Sequence, residues 1–116
     1  MSNERIAQLK NFLEQNPNDS FVQYALAIEH VNLGDDDIAL DYFKKILVRD
    51  PGYTGMYYHL GKLYQRRNQN DLAEETFREG MKRTQGKDAH THRELQEALN
   101  QMLFEEEWMT IAEAMS

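Results

Sequence analysis

Four histidines, a run of three aspartates and a run of three glutamates are the residues of this 116-residue chain that could carry chemistry. His90 and His92 stand two apart, a spacing that points them to different faces of a helix. Zinc needs three or four converging ligands, so exposed histidines at a helix start are expected there rather than a metal site. Asp35, Asp36 and Asp37 lack the spacing of an EF-hand loop and read instead as caps and favourable charges at a helix N-terminus. Glu105, Glu106 and Glu107 read as a solvated helix face. Neither a Ser/His/Asp arrangement, a glycine-rich phosphate loop nor an HExxH motif is present. Cysteine is absent, which excludes a disulfide framework, a thiolate zinc site and a Cys nucleophile. No catalytic, cofactor-binding or metal residue is assigned, and no cofactor is expected.

The elements around these residues follow from composition and period. At 116 residues with 41% hydrophobic content the chain can build one small core. Two prolines and six glycines leave long uninterrupted stretches, which favours helix. The balance of 13 Lys and Arg against 20 Asp and Glu argues against nonspecific nucleic-acid binding, which needs a basic face. The N-terminus lacks the apolar core of a secretory signal, and no stretch approaches the roughly 18 apolar residues of a membrane span. A cytoplasmic protein without membrane contact is expected.

A shift of 34 residues aligns 18–51 with 52–85. Six pairs are identical: Tyr24/Tyr58, Leu26/Leu60, Asp37/Asp71, Ala39/Ala73, Phe43/Phe77 and Arg49/Arg83. Average composition would give roughly two. His30 falls opposite Tyr64 and is expected to pack in its place. The same shift maps Pro17 onto Pro51 and lays Ile6, Leu9, Phe12 and Leu13 on Leu40, Phe43, Ile46 and Leu47. Each whole unit carries two apolar stripes at helical spacing. The first unit has Phe21, Tyr24, Leu26, Ala27, Ile28 and Val31, then Ile38, Ala39, Tyr42, Phe43, Ile46 and Leu47. The second has Tyr57, Leu60, Gly61 and Tyr64, then Leu72, Ala73, Phe77 and Met81. Gly34 suits the left-handed position that ends a helix. Asn70 or Asp71 is the expected cap of the fourth helix's successor, and Gly80, in mid-helix, is expected to cost about 1 kcal/mol relative to Ala.

In period and signature positions the chain resembles the tetratricopeptide repeat (TPR) family. With Thr54 as position one, Tyr57, Leu60, Gly61, Tyr64, Ala73 and Phe77 match, and from Ser20 the matches are Leu26, Ala27, Gly34, Ala39, Phe43 and Pro51. Gln23, His30 and Gly80 depart from it. The resemblance covers 1–85. It implies an all-α, right-handed helical solenoid of about six helices in a single domain, residues 1–116. The parts are an N-terminal half repeat (1–17), repeat 1 (18–51), repeat 2 (52–85) and a long C-terminal capping helix (88–116). It further implies a non-enzymatic adaptor whose concave groove holds a peptide or protein segment. The groove positions of the family fall on Phe21, Tyr24, Ile28, Val31 and Asn32, then Gly55, Tyr58, Lys62, Gln65 and Arg66. An amphipathic partner with an acidic flank suits an aromatic wall beside two cations. Some members clamp the C-terminal carboxylate of heat-shock chaperones with Lys and Asn. Tyr24, Ile28 and His59 occupy those positions here, which disfavours that partner.

From Asp88 to Ser116 neither Gly nor Pro occurs. Asp88 or Thr91 can cap a helix in which Leu95, Ala98, Leu99, Met102 and Leu103 form a stripe, continued by Phe104, Trp108, Ile111 and Met115 at steps of four, three and four. The second half is expected to overhang, fold back or meet another chain. Self-association through Phe104, Trp108, Ile111 and Met115, giving a homodimer, is therefore the alternative function, ahead of an enzyme or metal protein. Charge is uneven along the chain. Residues 54–87 hold seven bases and four acids, net +3, whereas 88–116 hold seven acids and one base, net −6. That contrast is expected to help seat the last helix on the second repeat in a salt-sensitive contact.

Overall fold

The computed structural model describes residues 2–116, which form α1 (Ser2–Gln15), α2 (Ser20–Leu33), α3 (Asp36–Arg49), α4 (Met56–Arg66), α5 (Asn70–Thr84) and α6 (Ala89–Met115). Helix ends are set by local chemistry. The Asp19 carboxylate accepts the Val22 amide at 3.0 Å and starts α2. Gly34, at φ 80°, ends it: the Asp35 amide reaches the His30 carbonyl and the Gly34 amide the Val31 carbonyl, the paired bonds of a Schellman turn. One period later Asn68 takes the same role at φ 61°, with the Gln69 and Asn68 amides donating to the Tyr64 and Gln65 carbonyls. Because the chain turns at Asn68, α5 begins at Asn70 behind Gln69. The cap therefore lies one residue ahead of the Asn70 or Asp71 expected from the sequence. At α6 the Asp88 carboxylate accepts both the amide and the hydroxyl of Thr91.

α2 packs on α3, α4 on α5, and each pair on the next, so that one core runs from Ala27 through Phe43, Leu60 and Phe77 to Leu95 and Met102. Ile6, Val22 and Leu26 form a smaller cluster beneath α1. The fold is an all-α helical solenoid. Small residues set the spacing within pairs. A Cβ on Gly61 would collide with three ring carbons of the fully buried Phe77. The Gly80 position corrects the propensity estimate in the same way. A Cβ there would lie 2.7 Å from Tyr57 Cβ and 2.8 Å from Leu95 Cδ1. Glycine at 80 thus admits α4 and α6 to the surface of α5, and its helix cost is offset by that approach.

Two apolar stripes are narrower than the sequence suggests. Ile38 and Leu72 are exposed. At 100° per residue each stands roughly 100° from the centre of the buried face of its helix. Phe12 is also half exposed.

α6 is unbroken over 27 residues, about 40 Å at 1.5 Å per residue. Leu95, Ala98, Leu99 and Met102 are buried, whereas Phe104, Trp108, Met109, Ile111 and Met115 are exposed. The second stripe does not continue the first. The two-residue step from Met102 to Phe104 turns the helix by roughly 200°, so the two stripes lie on opposite faces. Beyond Leu103 only Glu106 is half-buried, and the rest of the helix stands clear of the body. The radius of gyration of 15.8 Å exceeds the roughly 13 Å of a compact domain this size. Among the described residues no ion pair joins α6 to α5: Arg78 and Arg83 pair within α5, with Glu74 and Glu79. The seat of α6 is mainly apolar, and the charge contrast makes no ion pair in it.

Candidate functional site

Alternate helices α2, α4 and α6 lie side by side and carry the groove positions. At one end of this face four rings form a row. Tyr53 meets Tyr24 at 5.6 Å between centroids, Tyr24 meets His59 edge-on at 5.7 Å, and His59 meets Tyr58 edge-on at 5.3 Å. Tyr24, Tyr53, Tyr58 and His59 are all half-buried. Glu94 of α6 faces this row. Burial, and then the Glu94 charge, raise the Tyr24 pKa above its ordinary value. Burial holds the His59 pKa below its ordinary value, with Glu94 opposing the shift. The imidazole is therefore neutral at pH 7 and works as an aromatic surface with one donor and one acceptor.

Toward the C-terminal ends of α2 and α4, Val31, His59, Lys62, Leu63, Gln65 and Arg66 line a depression of about 470 Å³. Lys62 is exposed and has no ion-pair partner among the described residues. Arg66 is engaged. It pairs with the Asp36 carboxylate and donates to the Val31 carbonyl at 3.3 Å. The two cations expected from the sequence thus reduce to one available charge. Gln65 Oε1 is buried and accepts no hydrogen bond within the described residues.

The positions foreseen from the sequence divide. Tyr24, Tyr58, Val31, Lys62, Gln65 and Arg66 share this face. Ile28 lies on the same face of α2 as Tyr24 and Val31 and, like them, is half-buried against the core. Phe21 is exposed and belongs to neither the ring row nor the depression. Tyr53 and Glu94 are additions. Tyr53 sits in the connection before α4, where no helical period marks it. Glu94 lies on α6, outside the two repeats, where the 34-residue period marks no groove position.

The other chemically able residues are used structurally. Asp35 takes the His30 Nδ1 at 3.1 Å instead of capping α3, Asp36 holds Arg66, and Asp37 holds Arg67 at 2.9 Å. His30 is buried and stacks on Tyr42 at 6.0 Å, as a ring replacing a packing tyrosine would. His92 is not simply exposed. Its Nδ1–H donates to the Met81 carbonyl at 3.0 Å and lies 3.3 Å from the Thr84 hydroxyl, tying α6 to α5. His90 is exposed beside Glu94. Among the described residues no three His, Asp or Glu side chains converge as a metal site, and no helix is long and apolar enough to cross a membrane.

A family model described as tetratricopeptide repeat matches residues 54–85. No curated protein matches the chain. Among solved structures, a tetratricopeptide repeat domain protein from Salinibacter ruber is 37% identical with a TM-score of 0.70. The match covers 73% of this chain and 96% of that one. A protein from Bordetella parapertussis is 24% identical with a TM-score of 0.75, over 86% of this chain and 88% of that one. MamA is 20% identical with a TM-score of 0.64, over 94% of this chain and 71% of that one. The last two likenesses bear on the fold alone.

Proposed function

The chain belongs to the tetratricopeptide repeat family, and on that premise we propose that it is a non-enzymatic adaptor holding a peptide or protein segment across the face of α2, α4 and α6. TPR folds generally mediate protein–protein interactions, and members of the family are typically scaffolds rather than enzymes. The observation that carries the reading is the row Tyr53–Tyr24–His59–Tyr58, four half-buried rings beside an available Lys62. Aromatic side chains of this kind give large contact area at small entropic cost and dominate interface energetics. An apolar or aromatic side chain of the partner rests on the rings. A partner carboxylate is drawn to Lys62, and a partner N–H answers Gln65 Oε1. The partner is therefore an amphipathic segment with an acidic flank. Tyr24, Ile28 and His59 stand where a chaperone carboxylate clamp needs Lys and Asn, so that partner class is not favoured.

The test uses a displayed library of random peptides of about 12 residues, selected on the wild-type chain. Selected peptides should be amphipathic with Asp or Glu at one end. The double variant Tyr24→Ala/Tyr58→Ala should keep its circular dichroism spectrum and lose affinity by at least about 30-fold, the effect of a hot-spot pair at 2 kcal/mol or more. Peptides that bind the double variant equally well would remove the groove from consideration.

A further inference from the structure

We infer that the free half of α6 is a self-complementary, antiparallel dimerisation helix, whose occupant is the same segment of a second copy. Phe104, Trp108, Ile111 and Met115 stand at steps of four, three and four, which is the seam of a two-stranded coil. They are 67%, 61%, 42% and 81% exposed. They also lie opposite the face that α6 presents to α5, so a helix laid along them meets no part of the chain's own body.

The flanking residues select the second copy and its direction. A two-fold axis between Met109 and Thr110 brings Phe104 against Met115 of the other copy and Trp108 against Ile111. In that register Glu105 lies on the same flank as Ala112 of the other copy, and Glu107 on the same flank as Ala114 of the other copy. Each residue of the stripe meets an apolar one, both flanking carboxylates meet an alanine, and no like charges oppose each other across the seam. A parallel pairing would extend the seam backwards to Glu97, one heptad before Phe104, and set two Glu97 carboxylates face to face. The antiparallel register sets the two Glu97 roughly 37 Å apart along the helices and keeps the two bodies at opposite ends.

The area agrees with this occupant. With large side chains offering about 150–250 Å² each, the stripe gives roughly 500 Å² per copy, or about 1,000 Å² for the pair. That is the lower limit of a specific interface and fits a weak, concentration-dependent dimer.

The experiment uses the full chain. Sedimentation equilibrium from about 5 to 1,000 µM should show a monomer–dimer equilibrium within that range. Trp108 is the sole tryptophan, so its emission should move to the blue as the dimer forms. Trp108→Glu should abolish association, and Val48→Glu, at a site 85% exposed on α3, should leave it intact. The chain has no cysteine, so direction can be read by disulfide trapping. Mixing Phe104→Cys and Met115→Cys chains should give the mixed 104–115 product in excess over either homodimer, because two 104 positions lie roughly 16 Å apart along the helices. A monomer throughout the range, a dimer that survives Trp108→Glu, or predominant 104–104 disulfide would each overturn the proposal.

Discussion

Replacing Gly80 with Ala tests whether packing or propensity governs the second repeat. Helix propensity favours Ala over Gly in a helix interior by about 1 kcal/mol. The structure opposes that gain, because the new Cβ would stand 2.7 Å from Tyr57 Cβ and 2.8 Å from Leu95 Cδ1. Leu95 can turn its terminal methyl aside. Tyr57 Cβ is fixed to the α4 backbone, and its ring is buried with the hydroxyl donating to the Pro51 carbonyl. Relief therefore requires α4 and α5 to part, an overpacking cost near the upper part of the 1–3 kcal/mol range. The net effect is destabilisation by about 1–2 kcal/mol, or a fall in Tm of roughly 4–8 °C for a chain of this size. Urea denaturation and calorimetry of Gly80→Ala against the wild type measure it. A variant as stable as the wild type, or more so, would show that α4 and α5 are not held at the described separation.

Arg5 reaches the buried Glu29 at 2.8 Å, so Arg5→Ala should leave that carboxylate short of a partner and cost about 1–2 kcal/mol in urea denaturation; an unchanged midpoint would contradict it. Asp19→Ala removes the α2 cap and should cost about 1 kcal/mol by the same assay. His59 titrates below its ordinary value of 6.5 because burial disfavours the cation. The unfolded chain therefore binds its proton first as pH falls, and stability is lost from about pH 6.5 downward through the folded-state pKa. The stability of His59→Gln should fall less between pH 7 and 5 than that of the wild type. Since no ion pair fixes α6 to α5 among the described residues, amide exchange protection around Leu95–Met102 should be similar in low and high sodium chloride. Marked loss of protection in salt would restore the charge contrast as a cause.

The helix pairs were legible because a 34-residue period repeats the same packing solution twice, and Ala39/Ala73 and Phe43/Phe77 mark it at fixed places. What escaped depends on three-dimensional neighbours rather than on period. Gly80 looked like a defect until α4 and α6 were seen against it. Arg66 lines the depression, but the Asp36 that holds it is a neighbour the period does not mark. Glu94 lies on α6, outside the two repeats, and Tyr53 in a connection where spacing carries no signal. In α6 the spacing suggests one continued stripe, but the step from Met102 to Phe104 reverses the apolar face, which makes the free half a surface of its own rather than a continuation of the seat.

Partner binding on the face of α2, α4 and α6 is the central proposal. Amide and side-chain chemical-shift mapping of the wild-type chain with a library-selected acidic amphipathic peptide tests this directly. The largest shifts should fall on Tyr24, Tyr53, Tyr58, His59, Lys62 and Gln65, with Glu94 of α6 also affected. Shifts centred instead on the exposed apolar residues Ile38, Val48 and Leu72 of α3 and α5, with the ring row unmoved, would contradict it.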